Sequence, residues 1–500
     1  MRHSAKLFIL CVSMAGLCTY LFHGVGIGIN LFVFEAIVAA AWWSMRRVPA
    51  SRLAILSVGG MILTAAMVLV HGSTLAIVVN LISVGLTVGV LVAPELNALH
   101  RSAVASLIHL WAVPRALART SPFLQEKIMR AGLSSTVLLK ASIVPIVLLA
   151  FTGMYRLSNP QFNRFMSYML AIFDHLDIAL IGTFLVGLLA SSYLFLSTRN
   201  EALSRWTAPR SDLLQAGPEA VYGQHLRSEV RIATVLLAGL NLLLLTANVL
   251  DIRYVWLDFK FDGQYLKQFV HEGTYMLLLS ILIGAAIVLY YFRGDLNFHK
   301  ENRVLKALSY AWLVQNMVLA LSVGMRNYWY IHYYALAYKR IGVAFFLLAL
   351  LIGLALVLLK VKQARSVHFL LRTNTATMYC IVLSMSLFNW DGIIARYNMA
   401  QAGLAFVHLD FLATLSDKAL PYLVQPQERL ELIAASNARL IGGAEGYSWT
   451  KYMTPEEYGA IMKSRSDRFL ETWPEHSWKE WNWAEDWAFH LLGSMRGAGQ

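Results

Sequence analysis

The chain has 500 residues, of which 58% are hydrophobic and 14% charged, and it carries a formal net charge of +13. Soluble domains run nearer a quarter charged, so a soluble fold of this size is excluded for want of polar surface. The surplus Lys and Arg sit in short loops between apolar blocks and form no basic stripe, which argues against a nucleic-acid partner and for the bilayer as solvent.

In chain order, Met1 to Lys6 is basic and precedes an apolar run, 7–22. No small-residue cleavage site closes that run, so it reads as an uncleaved first span. Ten further apolar blocks follow, at 25–43, 53–71, 74–92, 135–154, 178–197, 232–250, 274–292, 307–325, 341–359 and 374–392. Each approaches the roughly 20 residues needed to cross about 30 Å of hydrocarbon. Their continuity predicts helices, because a barrel strand would alternate over about ten residues. Residues 93–134, with basic residues, leucines and Trp111, predict an amphipathic helix on the membrane surface, and 156–177 predicts another on the opposite side.

Beyond about residue 393 the apolar blocks stop. Thr454, Pro455 and Glu457 read as N-cap, first-position proline and capping-box carboxylate, and Ser477 with Glu480 repeats the box. Trp449, Trp473, Trp478, Trp481, Trp483 and Trp487 are expected as the core of a small helical domain, or as interface anchors. The fold class is therefore all-α: a polytopic transmembrane helical bundle of about 11 spans with a small helical C-terminal extracytoplasmic domain. Its divisions are 1–92 (the first four spans), 93–134 (the cytoplasmic connection), 135–392 (the remaining spans) and 393–500 (the tail).

With the N-terminus in the cytoplasm, the cytoplasmic segments hold 23 Lys and Arg and the opposite loops 8. That bias predicts a multi-pass protein of the bacterial inner membrane with its N-terminus cytoplasmic and its C-terminus extracytoplasmic.

Ionisable groups within or beside spans are costly and mark candidate sites. At the outer ends of the last four spans stand His271, Glu272, Arg326, Tyr330, Tyr334, Arg340, Asn389, Asp391, Arg396, Tyr397 and Asn398. Structurally, such groups anchor spans or pair with one another, Asp391 with Arg326 or Arg396. Functionally, the arginines would hold an anionic group such as a lipid phosphate, with His271 or Glu272 as proton-transfer residue. A metal set of His271, Glu272, His332 and Asp391 lacks the usual helical histidine spacing. Lys140 snorkels, Gln315 and Asn316 join helices by hydrogen bonds, and Glu35 is the one acidic residue near the middle of a span. Cys11, Cys18 and Cys380 lie in spans and predict no disulfide. No Walker loop, dinucleotide loop, nucleophile elbow or HExxH occurs, and no cofactor is expected.

The run Arg326 to Ile341, RNYWYIHYYALAYKRI, resembles the signature of an uncharacterised bacterial multi-pass membrane family, domain of unknown function 4173, related to 4153. Arg326, Tyr330, Ile331, Tyr334, Leu336, Arg340 and Ile341 match, whereas Ala335 and Ala337 replace the family's usual Gly and Thr. His271 to Gly273, Asn389 to Asp391, Ala395 to Asn398, and Leu409 to Pro421 are similar too, so the resemblance covers roughly 140–420. It implies no activity. The functional expectation is a non-catalytic binding or support protein of the envelope, meeting the lipid bilayer, an anionic lipid or an envelope protein. The alternatives are a membrane enzyme acting on lipid-linked or envelope substrates at the outer leaflet, and a transporter.

Overall fold

A computed structural model describes residues 2–49, 51–121, 135–171, 177–196, 210–217, 224–259, 274–441 and 453–498. It divides into two compact units, Met1–Ala208 with His476–Trp483, and Pro209–Glu475 with Ala484–Gln500.

The first unit contains α1 (Arg2–Phe22), α2 (Ile29–Ser44), α3 (Arg52–His71), α4 (Thr74–Val92), α5 (Leu99–Thr120), α6 (Ser135–Ser158), α7 (Pro160–Ala171) and α8 (Ile178–Phe195). Helices α3 and α4 form a hairpin. Ser51 and Ser73 cap their first turns, and Gly72 takes the left-handed conformation (φ +56°) that closes α3. Helix α8 runs antiparallel to α1: the His23 imidazole lies 3.1 Å from the Asp177 carboxylate where α1 ends and α8 begins. The other end of α8 is buried, so its last carbonyls need donors. Three helices and the loop after α2 supply them. Cys11 Sγ reaches the Ser191 carbonyl, His109 Nε2 that of Tyr193 (2.9 Å), Trp42 Nε1 that of Leu194 (3.0 Å), and the Arg47 guanidinium that of Phe195.

Helix α5 is amphipathic, as the composition of 93–134 predicts, but its polar face turns inward. Arg101, Ser102, Ser106 and His109 are buried while Leu107, Leu110 and Trp111 are exposed. The inversion follows from its neighbours. Ser106 bonds the Tyr193 hydroxyl at 2.5 Å, and Gly89 lets the backbone of α5 approach α4 so closely that a Cβ there would overlap the Ser102 carbonyl.

The second unit contains α9 (Gln224–Asp251), continued by a π-helical turn Ile252–Leu257, then α10 (Thr274–Tyr291), α11 (Arg303–Tyr334), α12 (Tyr338–Lys362), α13 (Val367–Met385), α14 (Trp390–Ala400), α15 (Gln427–Ile441), α16 (Pro455–Thr472) and α17 (Trp483–Ala498). Leu237, Ile281, Leu305, Leu313, Val323 and Leu354 are among its core residues. Amides join α9 to α11: Asn241 donates to the Leu308 carbonyl (3.1 Å), Gln315 to Asn241 (2.7 Å) and Asn248 to the Gln315 carbonyl (3.0 Å). Asn316 instead bonds the Trp312 carbonyl of its own helix. At one end Lys360 Nζ, buried, caps the Phe292 carbonyl at 2.7 Å.

The protein is thus an all-α, multi-pass membrane bundle, with no strand among the described residues. All eleven apolar blocks fall on helices. Eight helices are long and apolar enough to cross a bilayer, or nine if α13 and α14, bent by 63°, count as one span; eleven is not reached among the described residues. Helix α2 has 16 residues, hence a length of only about 24 Å at 1.5 Å per residue. Lys140 lies on α6, and its side chain is outside what the structure describes. Both capping boxes form, at Thr454–Glu457 and Ser477–Glu480, the second on a single 3-10 turn. Of the tail tryptophans, Trp473 is buried, Trp478 and Trp483 are exposed, and Trp449 lies outside the described residues.

Candidate functional site

The long apolar helices α11 and α12 would be one rod without Ala335–Ala337. There the chain breaks, with Ala335 at φ +60° and ψ −164°, a region nearly reserved for glycine. Side chains hold the break from both flanks. The Arg340 guanidinium, folded back over the end of α11, donates to the carbonyls of Tyr334 (2.5 Å) and Ala335, and lies 4.3 Å from the Tyr330 ring centroid. Tyr330 and Tyr334 pack 5.0 Å apart. Asn398 grips Leu336 twice, accepting from its N–H at 2.7 Å and donating to its carbonyl at 2.9 Å. Asn327 donates to the Arg340 carbonyl at 3.0 Å, and the Phe406 N–H to that of Tyr333 at 2.8 Å, laying the segment after α14 over the end of α11.

A second knot is centred on Asp391, in the first turn of α14, which Asn389 caps through the Gly392 N–H. The Tyr338 and Ser416 hydroxyls donate to the two Asp391 carboxylate oxygens, and Lys418 Nζ stands 3.6 Å away. These groups, and neither Arg326 nor Arg396, partner Asp391, and Arg326 is engaged elsewhere. It is buried and bonds Asp251 at 2.5 Å, where α9 gives way to its π-helical turn. Trp256 and Trp329 cross-link the same two elements through Ser322 (3.0 Å) and the Val255 carbonyl (2.9 Å). Two residues after Phe406 is His408, whose burial, with Arg340 nearby, lowers its pKa to about 4.

The structure therefore brings Tyr330, Tyr334, Arg340 and Asn398 together at one junction and places Asp391 in a neighbouring knot. Arg396 is exposed and Tyr397 half-buried on α14. His271 and Glu272, the expected proton-transfer residues, lie outside the described residues. Asp251, Ser416 and Lys418 are the partners that sequence reading missed. Asp251 is one residue beyond an apolar block and at the same end as Arg326, a signal that charge pairing by depth could have caught. Ser416 and Lys418 carry no such mark. No group of three or more His, Cys, Asp or Glu suited to a metal occurs among the described residues. Beside the junction a groove of about 420 Å³ is lined by Met399, Gly403, Arg429, Ser436 and Arg439.

Residues 58–425 match the family described as Domain of unknown function (DUF4153). The chain belongs to that family. The matched stretch holds the whole junction and both knots, and it starts well upstream of the 140–420 spanned by the resemblance, taking in most of α3 and all of α4. The match is to 4153, the related family, and the 4173 label is not shown by it. No curated protein and no solved structure matches the chain.

Proposed function

We propose that this chain is a non-catalytic protein of the bacterial inner membrane, and that the α11–α12–α14 junction is a rigid extracytoplasmic platform binding an anionic lipid headgroup or envelope partner. One observation carries the reading. The buried charges of the candidate cluster are consumed internally, Arg326 by Asp251, Arg340 by backbone carbonyls and Asp391 by Tyr338, Ser416 and Lys418. The cations left exposed there, Lys339 and Arg396, are suited to an anion on the surface. A general acid or base must instead be free to reach substrate.

Lys339→Glu with Arg396→Glu should weaken retention of anionic lipid by the purified protein about tenfold, two lost contacts of roughly 0.7 kcal/mol each, at unchanged protein level. Asp391→Asn should lower the amount of folded protein. If Asp391→Asn instead abolishes an envelope phenotype while the level stays normal, the cluster is catalytic and this reading fails.

A further inference from the structure

Within the first unit, one carboxylate is buried among apolar helices without a cation. Glu35 on α2 is 4% exposed, and no ion pair to it occurs among the described residues. Its single hydrogen bond among the described residues comes from Asn80 Nδ2 on α4, 3.0 Å from Oε2. The same amide nitrogen reaches Thr64 Oγ1 (3.2 Å) and the Met61 carbonyl (3.4 Å) on α3. Thr64 spends its own proton on the carbonyl of Gly60 or Met61. The other end of the Asn80 amide, Oδ1, is buried at 1% exposure and accepts nothing.

Counting donors against acceptors identifies what is missing. An ionised Glu35 offers none, so it leaves Asn80 Oδ1 unfilled and holds a bare negative charge in a low-dielectric interior, where such groups neutralise instead. A neutral Glu35 offers one O–H. A carboxylic acid and a carboxamide form a two-bond pair, amide N–H to acid carbonyl and acid O–H to amide oxygen, and Asn80 Oδ1 is the acceptor that pair requires. We propose that Glu35 and Asn80 form an intramembrane proton-binding site in which the resting carboxyl is protonated. The bound species is a proton taken from water: an O–H bond forms on Glu35 and its charge goes from −1 to 0.

The surrounding titratable groups do not substitute for that proton. Helix α4 has none, and α3 has only Arg52 and His71, at its two ends. Helix α1 contributes Arg2, His3, Lys6, Cys11, Cys18 and Tyr20, and the tail segment beside α2 contributes Lys479 and Glu480. Lys479 bonds the Tyr20 carbonyl and Glu480 the Gly26 N–H. Glu35 sits six residues into α2, about 9 Å below its start, and Asn80 is six residues into α4. The site therefore lies close to the middle of both helices, displaced slightly toward the ends at which they start. It goes beyond the anion-binding reading and uses none of the same residues.

The test is a hydrophobic carbodiimide on the full-length protein in native membrane vesicles, with the adduct mapped by peptide mass spectrometry. The reagent requires the acid: the carboxyl proton moves to a carbodiimide nitrogen and the carboxyl oxygen adds to its central carbon. Labelling of Glu35 is expected at neutral pH, falling about tenfold per pH unit above the site's midpoint. It should be absent in Glu35→Gln, whose amide keeps the bond to Asn80 Oδ1. Infrared spectra, which need no reagent access, should show a buried carboxylic-acid carbonyl band in the wild type that Glu35→Gln lacks. Absence of that band, labelling constant from neutral to alkaline pH, or protection by sodium ions at fixed pH would each overturn the proposal, the last by assigning the site to a metal cation.

Discussion

At the scale of single residues, Ala335 is the position where the backbone works against the side chain. Its φ of +60° with ψ −164° costs about 1–3 kcal/mol for any residue with a Cβ. The structure sustains it because Arg340, Asn398 and the Phe406 N–H hold the chain on both sides. Glycine relieves that strain and forfeits one buried methyl, worth about 0.8 kcal/mol. Ala335→Gly should therefore stabilise the protein by about 1 kcal/mol, read as a higher unfolding midpoint in detergent; a lower midpoint would mean that methyl packing outweighs strain. The family resemblance, with Gly usual at this position, is consistent with a requirement for this conformation. The requirement itself was not legible in RNYWYIHYYALAYKRI, because alanine is a good helix former and nothing local marks the break.

At the scale of elements, segments longer than a helical turn were legible and their partners were not. The apolar blocks predicted every long membrane helix because length against bilayer thickness is a property of one segment. Both capping boxes were readable for the same reason, each spanning four residues. Arg326 finding Asp251, and Asp391 finding Ser416, depend on which helices pack together, which no single segment specifies. The tail illustrates the difference. Ser477–Glu480 was readable as a helix start, yet it begins a strap: Ile29 N–H donates to the Trp481 carbonyl (3.0 Å), Gly26 N–H to Glu480 (2.7 Å), and Lys479 to the Tyr20 carbonyl (2.6 Å). Gly28 makes this approach possible, because a Cβ there would sit on the Glu480 carbonyl, 2.3 Å from its oxygen. Two backbones cannot yield as a flexible side chain can, so Gly28→Ala should expel the strap at a cost of about 2 kcal/mol. Trypsin should then cut after Lys479 in the variant and spare the wild type. Equal cleavage in both would show that the strap does not shield Lys479.

At the scale of the whole molecule, the strap bears on which side of the membrane the tail occupies. Counting spans is a fragile route, since eight crossings put the tail on the side opposite to that given by nine or eleven, and one error reverses the result. The contacts of the strap do not depend on the count. Tyr20, Gly26 and Ile29 mark the end of α1 and the start of α2, and Tyr20 is 18 residues from Arg2, about 27 Å along the helix. Where α1, long and apolar enough to do so, crosses the bilayer, a strap fixed there is on the side opposite the N-terminus, whatever the intervening helices do. The side of the N-terminus follows from loop charge, 23 Lys and Arg against 8. Together these arguments predict that alkaline phosphatase fused after Gln500 is active and that a cytoplasmic reporter there is silent. Lys479→Cys should react with a membrane-impermeant maleimide from the periplasmic side once Gly28→Ala has freed the strap. A silent phosphatase with an active cytoplasmic reporter would mean either that α1 does not cross or that the charge bias has been read in the wrong direction. Labelling of a cysteine placed at Arg2 decides between them: reaction from outside would indict the bias, and protection would indict the crossing.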